Sequence, residues 1–414
     1  MDASTKGMQF HRAWVLALVW TLVIAVAALP SAHAIDSQQA DSGGKSAVLQ
    51  KLAPRYAEIA RSNIRTVRSR PALVPSPVYA NGIYARDAFY AVLGLDDPTL
   101  SARLYAWFAD AQNPATGQIP TAVAFDPADK SLQPQDDEST LLFVIWSLLL
   151  HRTGHDIDPA GVAAAWNFIQ THVRNGSYYS APGSFRYWAD CWTLPRPDVI
   201  AYVQGLYASA AEAAHFLGVA DAGEAAAAEA AYRALYRQAS GFLPLSAGGP
   251  GRSVQDVSAL LPEFLHRWLF KDAMLPDAQV LATVDHHLAT LSVYADGGAL
   301  IGIKILGDSA GGFLAPSLFA ADCAGMSSPG DYHNGGYWPM YTLVELALAY
   351  SITPDPRYRA ALEQLVGAEA EEGLGVEYWQ LRQGSEGYVP AIRRQYSWNA
   401  LALRAMRYAG LVGD

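Results

Sequence analysis

"GDYHNGGYWPMYTLVELALAY", residues 330–350, runs from a turn crowded with ring and hydrogen-bonding side chains straight into an amphipathic helix that begins near Trp338 and Pro339. The adjacent Gly335 and Gly336 permit backbone angles closed to other residues, so the turn can aim His333, Asn334 and Trp338 at a common point. Working outward, the same alternation of helix and elaborate loop fills the chain. Apolar residues recur at helical spacing over residues 47–67, 100–111, 138–152, 159–173, 197–217, 220–238, 254–270, 280–294, 338–350, 356–369 and 396–408. A twelfth helix is expected within residues 299–321, and strand-like alternation is scarce. The helices come as pairs, and the long connections at 74–97, 113–137, 175–195, 322–339 and 373–395 hold most of the Gly, Pro, Trp and Tyr. Twelve alternating helices without a repeat period argue against a solenoid. They predict an all-α fold, an (α/α)6 barrel or toroid of six helical hairpins, with inner helices more apolar than outer ones and the long loops gathered at one end.

The ends of the chain speak about place. Lys6, His11 and Arg12 precede an apolar run over residues 13–29, and Ala32-His33-Ala34 offers small residues for a cut after Ala34. Residues 1–34 read as a secretory signal peptide, residues 35–46 as a polar, flexible lead-in and residues 47–414 as a single catalytic domain. The expected location is secreted or periplasmic, with no membrane contact beyond the signal. Cleavage takes the formal charge from −10 to −11. With no cluster of Lys and Arg, nucleic acid is excluded as a partner. Eleven Trp and 22 Tyr exceed what a core demands, and flat rings with one polar edge suit carbohydrate. Cys191 and Cys323 lie near two of the long loops; they either bridge those loops or remain buried thiols. No oligomeric state is legible.

Three acidic stretches lie in these loops. "FRYWADCW" places Asp190 between Trp188 and Trp192, "GVEYWQL" places Glu377 ahead of Tyr378 and Trp379, and "YARDAFY" sets Arg86 beside Asp87. A carboxyl group walled by indoles is desolvated, which raises its pKa and lets it donate a proton near neutrality. A second carboxylate in a wetter setting stays ionised and activates water or attacks directly. Hydrolysis of a glycosidic bond requires that pair. Each residue also has a plainer use, as a loop cap or an ion-pair partner.

"YARDAFY", "YWADCW", "YHNGGYWP" and "VEYWQL" followed by "YSWNALAL", in this order on a chain of helix pairs, resemble the six-hairpin glycosidase superfamily. The likeness is to the clan of family 63 α-glucosidases, family 37 trehalases and amylo-α-1,6-glucosidase-like proteins, over roughly residues 81–405. It implies an inverting hydrolase acting on an α-glucoside or related oligosaccharide, with Asp190 as general acid and Glu377 as general base. It also implies that Arg86, Asp87, Trp188, Trp192, Tyr332, His333, Asn334, Trp338, Tyr378 and Trp398 line a sugar pocket. The chain departs from the clan in the Ala189 and Cys191 that flank Asp190, and in lacking an N-terminal β-domain.

Two other readings compete. A polysaccharide lyase on a similar toroid would use Tyr332 or His333 as base and Arg86 to neutralise a uronate; a silent carbohydrate-binding protein would keep only the aromatic pocket. Asp136, Asp137 and Glu138 read as helix-capping carboxylates. Asp285-His286-His287 carries no metal-ligand spacing, so neither a metal nor a cofactor is expected.

Overall fold

In the computed structural model the described residues are 45–129, 136–323, 325–381, 387–391 and 395–413. The expected signal peptide and all of the lead-in before Lys45 lie outside them. The chain divides into two units, Met1–Gly43 and Gly44–Asp414, and the second carries every element below.

Helices follow in the order α1 (Ala47–Leu52), α2 (Pro54–Ser62), α3 (Ala85–Leu95), α4 (Pro98–Asp110), α5 (Glu138–Arg152), α6 (Pro159–Gln170), α7 (Ala201–Phe216), α8 (Ala222–Arg233), α9 (Leu261–Phe270), α10 (Asp277–Thr290), α11 (Pro339–Ile352), α12 (Pro356–Glu372) and α13 (Ala400–Tyr408). They are of two kinds. Helices α3, α5, α7, α9, α11 and α13 are buried over most of their surface, whereas α8 and α12 bury one stripe, such as Ala225, Ala228 and Tyr232. The buried helices touch in chain order, α3 on α5, α5 on α7, α7 on α9, α9 on α11 and α11 on α13, and α13 returns to α3. Trp146, Tyr207 and Tyr341 lie within this circuit, and each fully buried ring contributes about 1.5–3 kcal/mol through lost water contact.

The helix starts divide the same way. Asp97, Asp158, Asp221 and Asp355 cap α4, α6, α8 and α12 through their side chains. None of the six buried helices has a capping bond from its own N-cap side chain. The positive ends of those helices therefore open onto whatever chemistry surrounds their first turns.

Three expectations are corrected. "ARDAFYAVLGL" is helix α3 rather than loop; nearly every face of it is buried, so it shows no polar stripe to betray a helical period. Residues 299–321 hold no α-helix but the short strands Leu300–Ile303 and Leu306–Asp308, because Gly302, Gly307, Gly311 and Gly312 interrupt the run. Residues 47–67 split at Pro54 into α1 and α2 and end in the strand Ile64–Val67, paired with Arg70–Leu73. Ser46, the last residue of the expected lead-in, caps α1 by accepting from Leu49 N at 3.2 Å.

Candidate active site

The turn that opens the reading is built tightly. Gly335 has φ +96°, and a Cβ there would sit 2.5 Å from the Phe313 ring; a Cβ on Gly336 would strike the Tyr332 carbonyl oxygen. Tyr332 itself has φ +36°, a conformation that costs a non-glycine residue roughly 1–3 kcal/mol and is usually retained for a purpose. Asn334 organises the turn. Its carboxamide accepts from Leu314 N at 2.8 Å and donates to Leu314 O at 3.0 Å and Ser327 O at 2.8 Å, and the residue is fully buried. The expected sugar contact by Asn334 is therefore corrected, since these backbone bonds occupy its amide.

Next to the turn lies the Glu377 segment. Tyr337 and Trp379 exchange backbone hydrogen bonds at 2.9 and 2.7 Å, and Leu381 N donates to Gly330 O at 2.8 Å. On the other side, Asn399 Nδ2 donates to Gly375 O at 2.8 Å and Val376 O at 2.9 Å, and Tyr396 N donates to Gly375 O at 2.7 Å. Glu377 is thus fixed between the first turns of α11 and α13.

Three carboxyl groups meet around one guanidinium. Asp87, in the first turn of α3, is pushed up to about 6 by burial, with Arg86 opposing. Asp190 is also pushed up to about 6 by burial, again opposed by Arg86, and its side chain stays 35% exposed. Glu377 rises furthest, to about 8, through burial and then the repulsion of Asp87 and Asp190. One oxygen of each, Asp87 Oδ1, Asp190 Oδ1 and Glu377 Oε2, is buried without a hydrogen bond from the described residues. Buried acceptors left open at one place mark where a ligand or water completes the set.

Arg86 faces inward. It pairs with Glu138 at 3.1 Å and lies 5.1 Å above the Trp398 ring. Glu138, at the start of α5, is fully buried and also accepts from the Tyr202 hydroxyl. The expectation that Asp136, Asp137 and Glu138 all cap a helix holds only for Asp136, which accepts from Ser139 N at 2.8 Å. Glu138 is instead the counter-ion beneath the site, and Asp137 accepts from the Tyr178 hydroxyl at 3.2 Å.

The aromatic residues form a floor. Trp338 stacks on Tyr378 at 5.3 Å and on His333 at 5.2 Å, meets Trp398 at 5.9 Å and Trp188 at 5.3 Å, and donates its Nε1 to Tyr332 O at 3.1 Å. Trp188 donates to Ser258 Oγ at 2.7 Å, while Trp192 packs edge-on against Phe319 at 5.9 Å. All four indoles are buried and so desolvate the groups they pack against. The His333 Nδ1 lies 3.9 Å from Asp190 Oδ1, too long for a hydrogen bond. Burial and Arg86 hold His333 well below the usual imidazole range, so it is neutral, and both its nitrogens lack a partner.

Two further residues lie near the carboxyl groups: Tyr79, which carried no sequence signal, and Tyr396, the first residue of the "YSWNALAL" stretch, to which no role was assigned. The phenol of Tyr79 is raised first by the charge of Glu377, then by burial and by Asp87, Tyr84 and Asp190, so it feels the field of all three carboxylates. The Tyr396 hydroxyl lies beside both Asp87 and Glu377 and favours their ionised forms. Each is one tyrosine among 22, and neither adjoins a charged residue in sequence. Asp190, Cys191 and His333 gather closely enough to suggest a metal site, but the Cys191 sulfur is bonded to Cys323.

The closed circuit of buried helices is a fold shared with solved glycosidase structures. Among solved structures, a wild-type glycosidase is 15% identical with a TM-score of 0.57, covering 88% of this chain and 98% of its own. A variant of a glycosidase in complex with glucose matches at the same TM-score of 0.57 and 15% identity over the same shares, 88% and 98%. A family GH63 mannosylglycerate hydrolase from Thermus thermophilus, in complex with Tris, is 13% identical with a TM-score of 0.55 over 86% of this chain and 100% of its own. At these identities the likeness shows the fold. No family model and no curated protein sequence matches the chain.

Proposed function

We propose that this chain is an exported glycoside hydrolase, a single catalytic domain built as an (α/α)6 barrel, that cleaves the glycosidic bond of a neutral sugar with inversion. The observation that carries the reading is the meeting of Asp87, Asp190 and Glu377, each with an open buried oxygen, over an aromatic floor. In the forward step Asp190 gives its proton to the leaving oxygen while Glu377 takes one from the attacking water, which adds to the anomeric carbon as the bond to the leaving group breaks. The neutral His333 and the Tyr79 hydroxyl are placed to bind sugar hydroxyls. An α-glucoside or related small glycoside is the favoured substrate; the glucose bound to one structural neighbour and the mannosylglycerate in the name of another support a small neutral glycone. The Cys191–Cys323 disulfide accords with an oxidising compartment and so with cleavage of a signal after Ala34, which N-terminal sequencing of the secreted protein tests.

A uronate lyase fits poorly. Its anionic substrate would meet three carboxyl groups, and Arg86, the guanidinium beside them among the described residues, is already paired with Glu138. One observation favours a second assignment within the hydrolase reading: in the free protein the highest pKa belongs to Glu377, so the stored proton sits there. Exchanged roles would make Glu377 the acid and Asp190 the base.

A single experiment tests both. Purified protein, Asp190→Asn and Glu377→Gln are given a panel of α- and β-linked glycosides, mannosylglycerate included, and the matching glycosyl fluorides, with product anomers read by NMR. Fluoride leaves without protonation, so the variant lacking the acid keeps its rate on the fluoride and the variant lacking the base does not. Rescue of Asp190→Asn with inverted product supports the proposal. Rescue of Glu377→Gln exchanges the roles, and sugar binding without hydrolysis by the parent overturns the enzyme in favour of a silent binder.

A further inference from the structure

We propose that the Cys191–Cys323 disulfide is a positioning clamp that holds Asp190 against the His333–Trp338 turn, so that opening it slows proton donation while leaving the ring of helices intact. The inference rests on the reading of Asp190 as the group that protonates the leaving oxygen. Asp190 sits on an irregular loop closed at its base by reciprocal backbone bonds between Gly183 and Leu194 at 2.9 and 3.0 Å. Inside the loop, Phe185 N donates to Asp190 O at 2.8 Å and Trp192 N to Ala189 O at 3.0 Å. No helix or extended ladder supports it. Toward residues 318–323 the loop is held by Ala320 N to Cys191 O at 2.7 Å, Thr193 N to Leu318 O at 3.1 Å, the Trp192–Phe319 ring contact and the disulfide itself.

The bridge does more than staple two loops. Beyond Cys323 the chain reaches Ser327, whose carbonyl oxygen accepts from Asn334 Nδ2 at 2.8 Å, and Asn334 adjoins His333, whose ring faces Asp190 at 3.9 Å. Asp190, Cys191, Cys323, Ser327, Asn334 and His333 thus close a circuit in which the disulfide is the covalent tie between segments 132 residues apart. Both cysteines are buried, at 2% and 3% exposure, and the Cys191 sulfur lies within 4.8 Å of a carboxylate oxygen of Asp190 and a ring nitrogen of His333. Cutting it leaves only backbone bonds and ring contacts to hold the acid loop to the turn, and so loosens it. A displacement of about 1 Å at a reacting group lowers rate by on the order of a hundredfold.

The test compares the oxidised protein with the protein reduced by dithiothreitol and with the double variant Cys191→Ala/Cys323→Ala. Reduction is a two-electron exchange: the protein disulfide becomes two thiols, and dithiothreitol closes to its cyclic disulfide. Hydrogen exchange is expected to accelerate together in residues 185–194 and 331–338, with α3, α5, α7, α11 and α13 unchanged. On a glycoside, kcat is expected to fall roughly ten- to a hundredfold with little change in KM, while the glycosyl fluoride, which needs no acid, is hydrolysed at nearly the oxidised rate. Equal losses on glycoside and fluoride, an unchanged kcat, or faster exchange confined to one loop would each overturn the clamp. Asp190→Asn separates the two claims. If it turns over a glycoside at the parent rate, the catalytic reading and the clamp's part in proton donation fall together, whatever the exchange shows.

Discussion

Replacing Glu377 by Gln removes a carboxylate from a crowded site, and its effect on stability is calculable without knowing the substrate. In the folded protein burial and the repulsion of Asp87 and Asp190 raise Glu377 from 4.5 to about 8. Between those values the folded state holds a proton that the unfolded chain releases, so the stability of the parent falls as pH rises through that window. Each pH unit is worth about 1.4 kcal/mol, which puts the loss near 5 kcal/mol at full ionisation. Gln does not titrate and keeps an acceptor for the Tyr396 hydroxyl. Below pH 4.5 parent and variant should therefore melt alike; above pH 8 the variant should be the more stable, by up to about 5 kcal/mol. For a domain of this size that corresponds to a Tm gain of roughly 5–10 °C. Thermal unfolding at pH 4, 6, 8 and 9 measures it. A Tm difference that does not grow with pH, or a variant less stable at pH 9, would refute the placement of Glu377 in the carboxylate cluster.

The same charges predict the pH dependence of catalysis. Turnover needs one proton on the Asp190–Glu377 pair, so kcat/KM should be bell-shaped, falling below about pH 6 as the second proton binds and above about pH 8 as the last one leaves; a flat profile from pH 5 to 9 would count against a shared proton. Arg86→Met strands the buried Glu138 without its 3.1 Å partner and should cost roughly 3–5 kcal/mol in urea denaturation, with much of the loss restored by Glu138→Gln in the same background. Asn334→Asp sets a carboxylate against the carbonyl oxygens of Leu314 and Ser327 in place of two donated bonds. It should destabilise by about 3 kcal/mol or more, and by more than Asn334→Ala, a ranking that a sugar-contact role for Asn334 would not produce.

Much of the fold was legible because outer helices must show an apolar stripe and a polar one, as in α8 and α12. The inner helix α3 was hidden by the burial that makes it inner. Within the site, Asp190 and Glu377 stood out through their aromatic neighbours, whereas the role of Glu138 did not. Three consecutive acids at a helix start look alike in sequence, and only the direction of α5 decides that Asp136 caps the helix while Glu138 turns inward to Arg86. Asn334 misled for a related reason: an amide in a glycine-rich turn suits a sugar hydroxyl and a stray carbonyl equally well. Tyr79 and Tyr396 reach the carboxyl groups through folding alone, from loops far apart in the chain.

Among the described residues, three carboxyl groups share one already-paired arginine, an expensive cluster to keep folded, and the architecture shows how the charge is tolerated. Asp87 lies in the first turn of α3 and Glu138 in that of α5, while Glu377 is fixed beside the starts of α11 and α13, so the positive ends of buried helices face the negative charge. The residual repulsion is relieved by leaving a proton on Glu377 at neutral pH. Asp190 is the member still open to solvent, at 35% exposure, and it is therefore the one a bound sugar would desolvate. Covering Asp190 raises its proton affinity, and because the two groups repel each other, a proton gained by Asp190 eases ionisation of Glu377. Under the proposed roles, substrate binding would move the stored proton toward the leaving oxygen and ready the base in one transfer, which would reconcile the free-state pKa order with Asp190 as the acid.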